Sequence, residues 1–116
     1  MGLADGKVLL HLADRRRRVV EANDIYYLEA QRDETDVRLR AARRLRDVRS
    51  LGEVMRELAS LGFVRIHHNH AVNPAHVREI RPAGSGWEVR LEDIGLPDQG
   101  FGFVVAFGLV RQRSGF

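Results

Sequence analysis

The sequence predicts a mostly β domain, built from small antiparallel sheets with one short α-helix. Apolar and polar residues alternate over short runs at residues 37–41, 75–80 and 87–91, and residues 25–30 are rich in aromatic and branched residues; such runs read as strands. Helical spacing occurs in one stretch only, after Ser50. Many short strands with a single helix imply antiparallel architecture rather than a βαβ arrangement.

Taken in order, residues 7–12 alternate weakly and run into Asp14 and Arg15 to Arg18, after which Val19 and Val20 resume an apolar run. That pattern predicts a hairpin with an arginine-rich tip, either a solvated turn or a phosphate contact. Residues 21–24 form a short turn. Residues 25–30, Ile-Tyr-Tyr-Leu-Glu-Ala, are aromatic and branched with apolar groups facing both ways, which suits a central strand. Residues 31–36 read as a polar loop, and 37–41 as a half-buried strand with Arg38 and Arg40 on its outer face. The spacing of Leu45 and Val48 suits a helix or a strand, and a strand pairing back is expected. Ser50 with Glu53 three residues later forms a capping box. It is followed by Leu51, Val54, Met55, Leu58 and Leu61 at helical spacing, and Gly62 ends a helix of roughly ten residues.

Residues 63–74 concentrate the chemistry. Phe63, Val64 and Ile66 favour a strand, with Val64 and Ile66 on one face and Arg65 and His67 on the other. Asn73-Pro74 stops it, because proline restricts the residue before it and donates no ladder hydrogen bond. Histidines and an asparagine therefore gather at a strand end. Residues 75–80 and 87–91 read as hairpin partners across the turn at 82–86. Beyond residue 92, Gly95, Gly100, Gly102 and Gly108 interrupt an apolar segment whose register the sequence leaves open.

A chain of 116 residues with 44% hydrophobic and 30% charged residues is expected to fold as one domain over residues 1–116. Nineteen Lys plus Arg face 16 acids, and Lys7 is the only lysine, so positive charge is nearly all guanidinium, which suits phosphate. The absence of cysteine removes disulfides, thiolate metal sites and cysteine nucleophiles. No signal-peptide layout is visible and no apolar run approaches the ~20 residues that span a bilayer, so a cytoplasmic location without membrane attachment is expected.

Ser50, Ser60 and Ser85 lack the surroundings of a nucleophile, and Asp33-Glu34 reads as solvated charge, so no catalytic residue and no cofactor is expected. Histidines 67, 68, 70 and 76 could form a metal site, but strand alternation points His67 away from His68 and His70 and supplies no completing carboxylate, so no metal is expected. Base edges and phosphates use the same residues better. Histidine and asparagine at a tip hydrogen-bond bases while Arg32, Arg38, Arg40 and Arg65 meet phosphates. Exposed aromatics are scarce, which favours duplex DNA over single strands.

Three blocks resemble the LytTR-type DNA-binding domain, the output module of many bacterial response regulators. They are Asp24-Ile25-Tyr26-Tyr27-Leu28-Glu29-Ala30, Ser50-Leu51-Gly52-Glu53-Val54-Met55-Arg56-Glu57-Leu58, and Phe63-Val64-Arg65-Ile66-His67-His68-Asn69-His70-Ala71-Val72-Asn73. The resemblance covers about residues 9–91, with 92–116 divergent. It implies an elongated fold of small antiparallel sheets whose loops enter successive major grooves of a direct-repeat site on double-stranded DNA. By position, it implies a first DNA-facing loop from Arg32 to Thr35 and a second at the signature, where His67 matches the family histidine and Arg65 the arginine before it. His68 stands where the family has a base-contacting basic or Asn residue, and Asn69 at its serine. The expected DNA-contacting set is thus Arg32, Thr35, Arg38, Arg65, His67, His68 and Asn69, and the expected partners are a second copy in a homodimer and a receiver or sensor domain outside this chain.

The family's late third contact has no match, since Asp98-Gln99-Gly100 follows Leu96-Pro97, leaving Gln99, Arg111 or Arg113 to substitute. The competing expectations are a protein-interaction module that has lost DNA binding and a histidine-based metal sensor.

Overall fold

The computed structural model describes residues 6–83, 86–91 and 101–105, in which three antiparallel sheets are organised around one strand. Strand β1 (Lys7–His11) pairs with β2 (Arg17–Glu21) in a two-stranded hairpin. A five-stranded sheet follows, from β3 (Ile25–Gln31), β4 (Glu34–Leu39), β5 (Arg44–Asp47), β6 (Val64–His67) and β7 (His70–Val72), in the order β5-β4-β3-β7-β6. Helix α1 (Leu51–Leu58) is inserted between β5 and β6. Strands β8 (Val77–Ala83), β9 (Gly86–Leu91) and β10 (Phe101–Val105) make the third sheet, with β9 in its middle. Principal extents of 42 × 33 × 26 Å agree with the elongated form that the resemblance implied.

β3 is central, as its two-sided apolar pattern predicted. On one face Ile25 and Leu28 join Val8, Leu10, Val37, Leu39, Leu51, Val54, Leu58 and Phe63 in a core roofed by the β1–β2 hairpin and α1. On the other, Tyr26 and Tyr27 pack with Ile66, Val72, Val89 and Leu91. Adjacent tyrosines share a face because the β3–β4 register shifts between Ile25 and Tyr27, a bulge that resets the alternation.

The helix begins as the sequence predicts. Ser50 Oγ accepts from the Glu53 amide at 3.2 Å, and Glu53 Oε1 accepts from the Ser50 amide at 2.9 Å. Eight residues are too few to hold helical form alone. Burial of Leu51, Val54, Met55 and Leu58, each worth about 1.5–3 kcal/mol, holds it instead. Residues Ala59–Leu61 tighten into a 3₁₀ turn and Gly62 closes it at φ 97°, a left-handed value that suits glycine. The tighter turn takes Leu61 off the apolar stripe, leaving it exposed.

Two expectations are settled differently from each other. The ambiguous segment at 42–48 contains β5, as expected. The polar loop at 31–36 shrinks to the turn residues Arg32 and Asp33, because Glu34 to Asp36 already belong to β4. Asp36 tolerates burial there because Arg46, directly opposite on β5, donates Nε to Oδ1 at 2.5 Å, and Arg44 lies 3.7 Å from Oδ2.

The junction from β5 into α1 is fixed by a buried carboxylate. Asp47 accepts from the His11 amide at 2.9 Å, the Arg49 amide at 2.9 Å and the Arg49 guanidinium at 2.9 and 2.8 Å. Arg49 continues to Leu9 O and Glu57 Oε1, each at 3.3 Å. Burial alone would raise the Asp47 pKa, but the bonds from Arg49 and the two amides outweigh it and hold the carboxyl below its ordinary value. Asp47→Ala strands the Arg49 guanidinium and is expected to cost about 3 kcal/mol in urea unfolding. A pKa lowered by folding gives stability that is present above the ordinary carboxylate range and lost as pH falls through the lowered value. The wild type should therefore lose stability in acid more steeply than Asp47→Ala does, a difference that denaturation at pH 7 and pH 3 measures.

Candidate nucleic-acid interface

Arg32 and Asp33 turn β3 into β4, and His68 and Asn69 turn β6 into β7. Because β3 pairs with both β4 and β7, the two turns leave the same end of the five-stranded sheet, with their centres about two strand spacings, ~10 Å, apart. The Ala30 amide donates to Asn69 O at 2.8 Å and ties the second turn to the strand that feeds the first. Arg32 is exposed at φ 58°, a left-handed value that costs a non-glycine residue about 1 kcal/mol.

The 68–69 turn is braced from within. Arg65 Nη2 donates to His68 O at 2.5 Å, and the Asn69 amide donates to His67 Nδ1 at 3.1 Å. In the neutral ring of His67 the proton accordingly sits on Nε2. The main chain being held by its own neighbours, the side chains of His68 and Asn69 are left exposed. Arg65 also lies beside the first turn of α1, where a Cβ on Gly52 would come within 3.7 Å of its Nη1.

Three imidazoles meet at this turn. The His67 ring centroid is 4.4 Å from that of His68 and 6.0 Å from that of His70. This corrects the expectation that His67 would point away from the other two. The chain reverses between β6 and β7, and their register shifts between Arg65 and His67, so simple alternation does not apply. Among the described residues no set of three or more ligand-type side chains is arranged to hold a metal ion. Burial lowers the pKa of His67, aided by His68, His70 and Arg65. Burial also lowers that of His70, against the opposing pull of Glu29, whose Oε2 lies 3.6 Å from Nε2. His76 is structural: it is buried, stacked on Tyr26 at 4.0 Å, with Nε2 2.6 Å from Asn23 O.

Of the residues expected to contact DNA, the structure brings Arg32, His67, His68 and Asn69 to one end of the sheet, with Arg65 as the brace beneath. Thr35 is not among them. It is fully buried in β4 and donates Oγ1 to Arg49 O at 2.9 Å, because strand pairing starts at Glu34, inside the expected loop from Arg32 to Thr35. Arg38 is half-buried toward the far end of β4, about 13 Å along the strand from Glu34, with its guanidinium 5.6 Å over the Tyr27 ring. Gln99, Arg111 and Arg113 lie outside the described residues.

Sequence reasoning missed Arg44 and Arg46. They stand on the outer strand of the sheet and cover the carboxylates near the turns, Arg46 meeting Glu34 at 3.2 Å as well as Asp36. The alternation of Glu34 and Asp36 against Arg44 and Arg46 was the available signal, and it becomes visible once β4 and β5 are paired.

The structure is thus an antiparallel scaffold that projects a basic and an amide-bearing turn from one end of its largest sheet. A family model described as the LytTr DNA-binding domain matches residues 15–97, and the chain belongs to that family, a DNA-binding rather than a catalytic one. Its structure is similar to the LytTr DNA-binding domain of a protein from Bacillus cereus described as a methyl-accepting/DNA response regulator. The two share 25% identity over 89% of this chain and 88% of the other, with a TM-score of 0.65. No curated protein matches the chain. No described helix is long and apolar enough to cross a membrane.

Thr35→Val removes the side-chain hydrogen bond to Arg49 O and should lower stability by about 1 kcal/mol in urea unfolding. It should leave DNA affinity of the folded protein unchanged, since its side chain is inside. His67, whose pKa folding lowers, stabilises the turn above its ordinary pKa and loses that contribution as pH falls. A proton on Nδ1 removes the acceptor of the Asn69 amide, so amide exchange at Asn69, corrected for its intrinsic rate, should speed up between pH 7.5 and pH 5 before global unfolding begins.

Proposed function

We propose that this chain is a sequence-reading, double-stranded DNA-binding output domain of a bacterial transcription regulator, acting as one unit in the cytoplasm. The 32–33 and 68–69 turns would enter a major groove. The observation that carries this reading is their adjacency: two exposed turns about two strand spacings apart, one offering a guanidinium and the other an imidazole and an amide. That ~10 Å separation is comparable with the width of a major groove, about 12 Å.

Roles follow from position. His68 and Asn69, exposed at the tip, hydrogen-bond base edges, since the Asn amide both donates and accepts and imidazole does either according to its protonation. Arg32 meets a phosphate and fixes register without reading sequence. His67 and Arg65 are positioning residues, holding the tip through Asn69 N and His68 O. Family membership supports occupancy of direct repeats by two copies and control by a receiver or sensor domain on another segment.

His68→Ala should lower the ratio of specific to random DNA affinity by about 1–3 kcal/mol. Arg32→Ala should weaken specific and random binding alike, and should flatten the dependence of log K on log salt by about 0.9. Selection from random duplexes followed by salt titration of both complexes tests this. Equal affinity of the wild type for selected and random duplexes would overturn the base-reading assignment.

A further inference from the structure

The four arginines at residues 15–18 are not used by the two turns, yet the fold brings them to the same end of the molecule. The Val48 amide donates to His11 O at 2.8 Å and the His11 amide to Asp47, so the end of β1 is fastened to the end of β5. Thr35 is the partner of Asp47 across β4 and β5, so the hairpin tip stands level with the start of β4 and the 32–33 turn. A shallow cavity of about 230 Å³ joins them, lined by Leu12, Ala13 and Arg16 from the tip and by Glu34, Arg44 and Arg46 from the sheet.

The tip is built at a conformational cost. Asp14 and Arg15 have φ of 62° and 63°, where glycine or asparagine would avoid most of the strain. Aspartate tolerates that region, but a long arginine gains nothing locally there. Arg15 to Arg18 are all exposed, and among the described residues none has an acidic group in ion-pair range, unlike Arg40, Arg46, Arg49 and Arg81. Ala41 adopts the same backbone without a charge, so it is the exposure and unspent charge of Arg15, more than its φ, that point to an external anion. Charge, exposure and strain coincide at one tip.

We propose that the β1–β2 tip, through Arg15 and Arg16, is a second DNA-backbone contact that grips the phosphate strand flanking the groove entered by the 32–33 and 68–69 turns. The proposal rests on the DNA-binding reading above and adds a contact outside the base-reading pair. Placement supports it. The tip adjoins the β5 edge of the sheet rather than the β3–β7 side that bears the 68–69 turn, so it would meet DNA to one side of the two turns. Arginine tips at that offset meet phosphate rather than base edges, so they add affinity and salt dependence without sequence preference.

The experiment uses the whole chain with Arg15→Gly and Arg16→Gln combined. Glycine at 15 relieves a positive φ, so the variant should be at least as stable as the wild type, and urea unfolding verifies this. Both proteins are titrated onto a selected duplex at several salt concentrations, and onto a truncated duplex lacking the base pairs beyond the central groove. On the long duplex the variant should bind several-fold more weakly, with its log K against log salt slope flatter by about 2 and its specific-to-random ratio unchanged. On the truncated duplex the two should bind alike. An unchanged affinity and slope on the long duplex, with wild-type binding intact, would overturn the tip contact alone. A wild type that binds no duplex would instead overturn the DNA-binding reading.

Discussion

Hydrogen bonding along both edges of β3 is the constraint on which the rest of this molecule depends. A strand paired on one side only would deliver one turn to the sheet end. Pairing with β4 and β7 together delivers two, side by side, and the Ala30–Asn69 bond carries that pairing past the end of the ladder. The same strand divides the protein into two cores, and the bulge at its start lets Tyr26 and Tyr27 join one while Ile25 and Leu28 join the other. A one-residue slip of β3 would exchange these faces, so the packing that stabilises the fold also fixes the register of the turns.

The surrounding polar groups are arranged so that little charge is wasted near that end. Asp36 and Asp47 are buried acids close to the proposed DNA surface, where unpaired carboxylates would repel phosphate. Each is covered by arginine, Asp36 by Arg44 and Arg46 and Asp47 by Arg49. Arg49 serves a second purpose by linking β5, Leu9 and α1 through one guanidinium, a use of the planar fork that lysine could not reproduce. The arginine bias of the sequence is therefore divided between internal neutralisation and exposed tips, and net charge alone does not distinguish the two.

The sequence made the scaffold legible wherever periodicity and capping decide local structure. The capping box at Ser50 and Glu53, the stop at Gly62 and the two-sided apolar pattern of β3 are local signals, and each has its expected structural outcome. What was not legible depended on pairing. Glu34, Thr35 and Asp36 look like loop residues in isolation; they become strand only through pairing, and Thr35 and Asp36 are buried with Asp47 and Arg46 opposite them. The convergence of His67, His68 and His70 was hidden for the same reason, because a reversal and a register shift between β6 and β7 replace the alternation that a single strand would show. Arg38 was read correctly as a strand residue, but the Tyr27 ring that holds its guanidinium belongs to the neighbouring strand.

These placements lead to a division of labour on the proposed surface. A permanent charge at the central tip would bind phosphate and base alike, with much of its energy insensitive to sequence. His68, an imidazole, instead offers directional hydrogen bonds at the centre, while fixed charge is displaced to Arg32 beside it and to the hairpin tip beyond. Both Arg32 and Arg15 occupy left-handed backbone positions in which arginine is locally disfavoured. The same backbone form occurs at Asp14 and Ala41, so it belongs to the turns themselves. What sets Arg32 and Arg15 apart is an exposed guanidinium at the same end of the fold, where a polyanion would meet both.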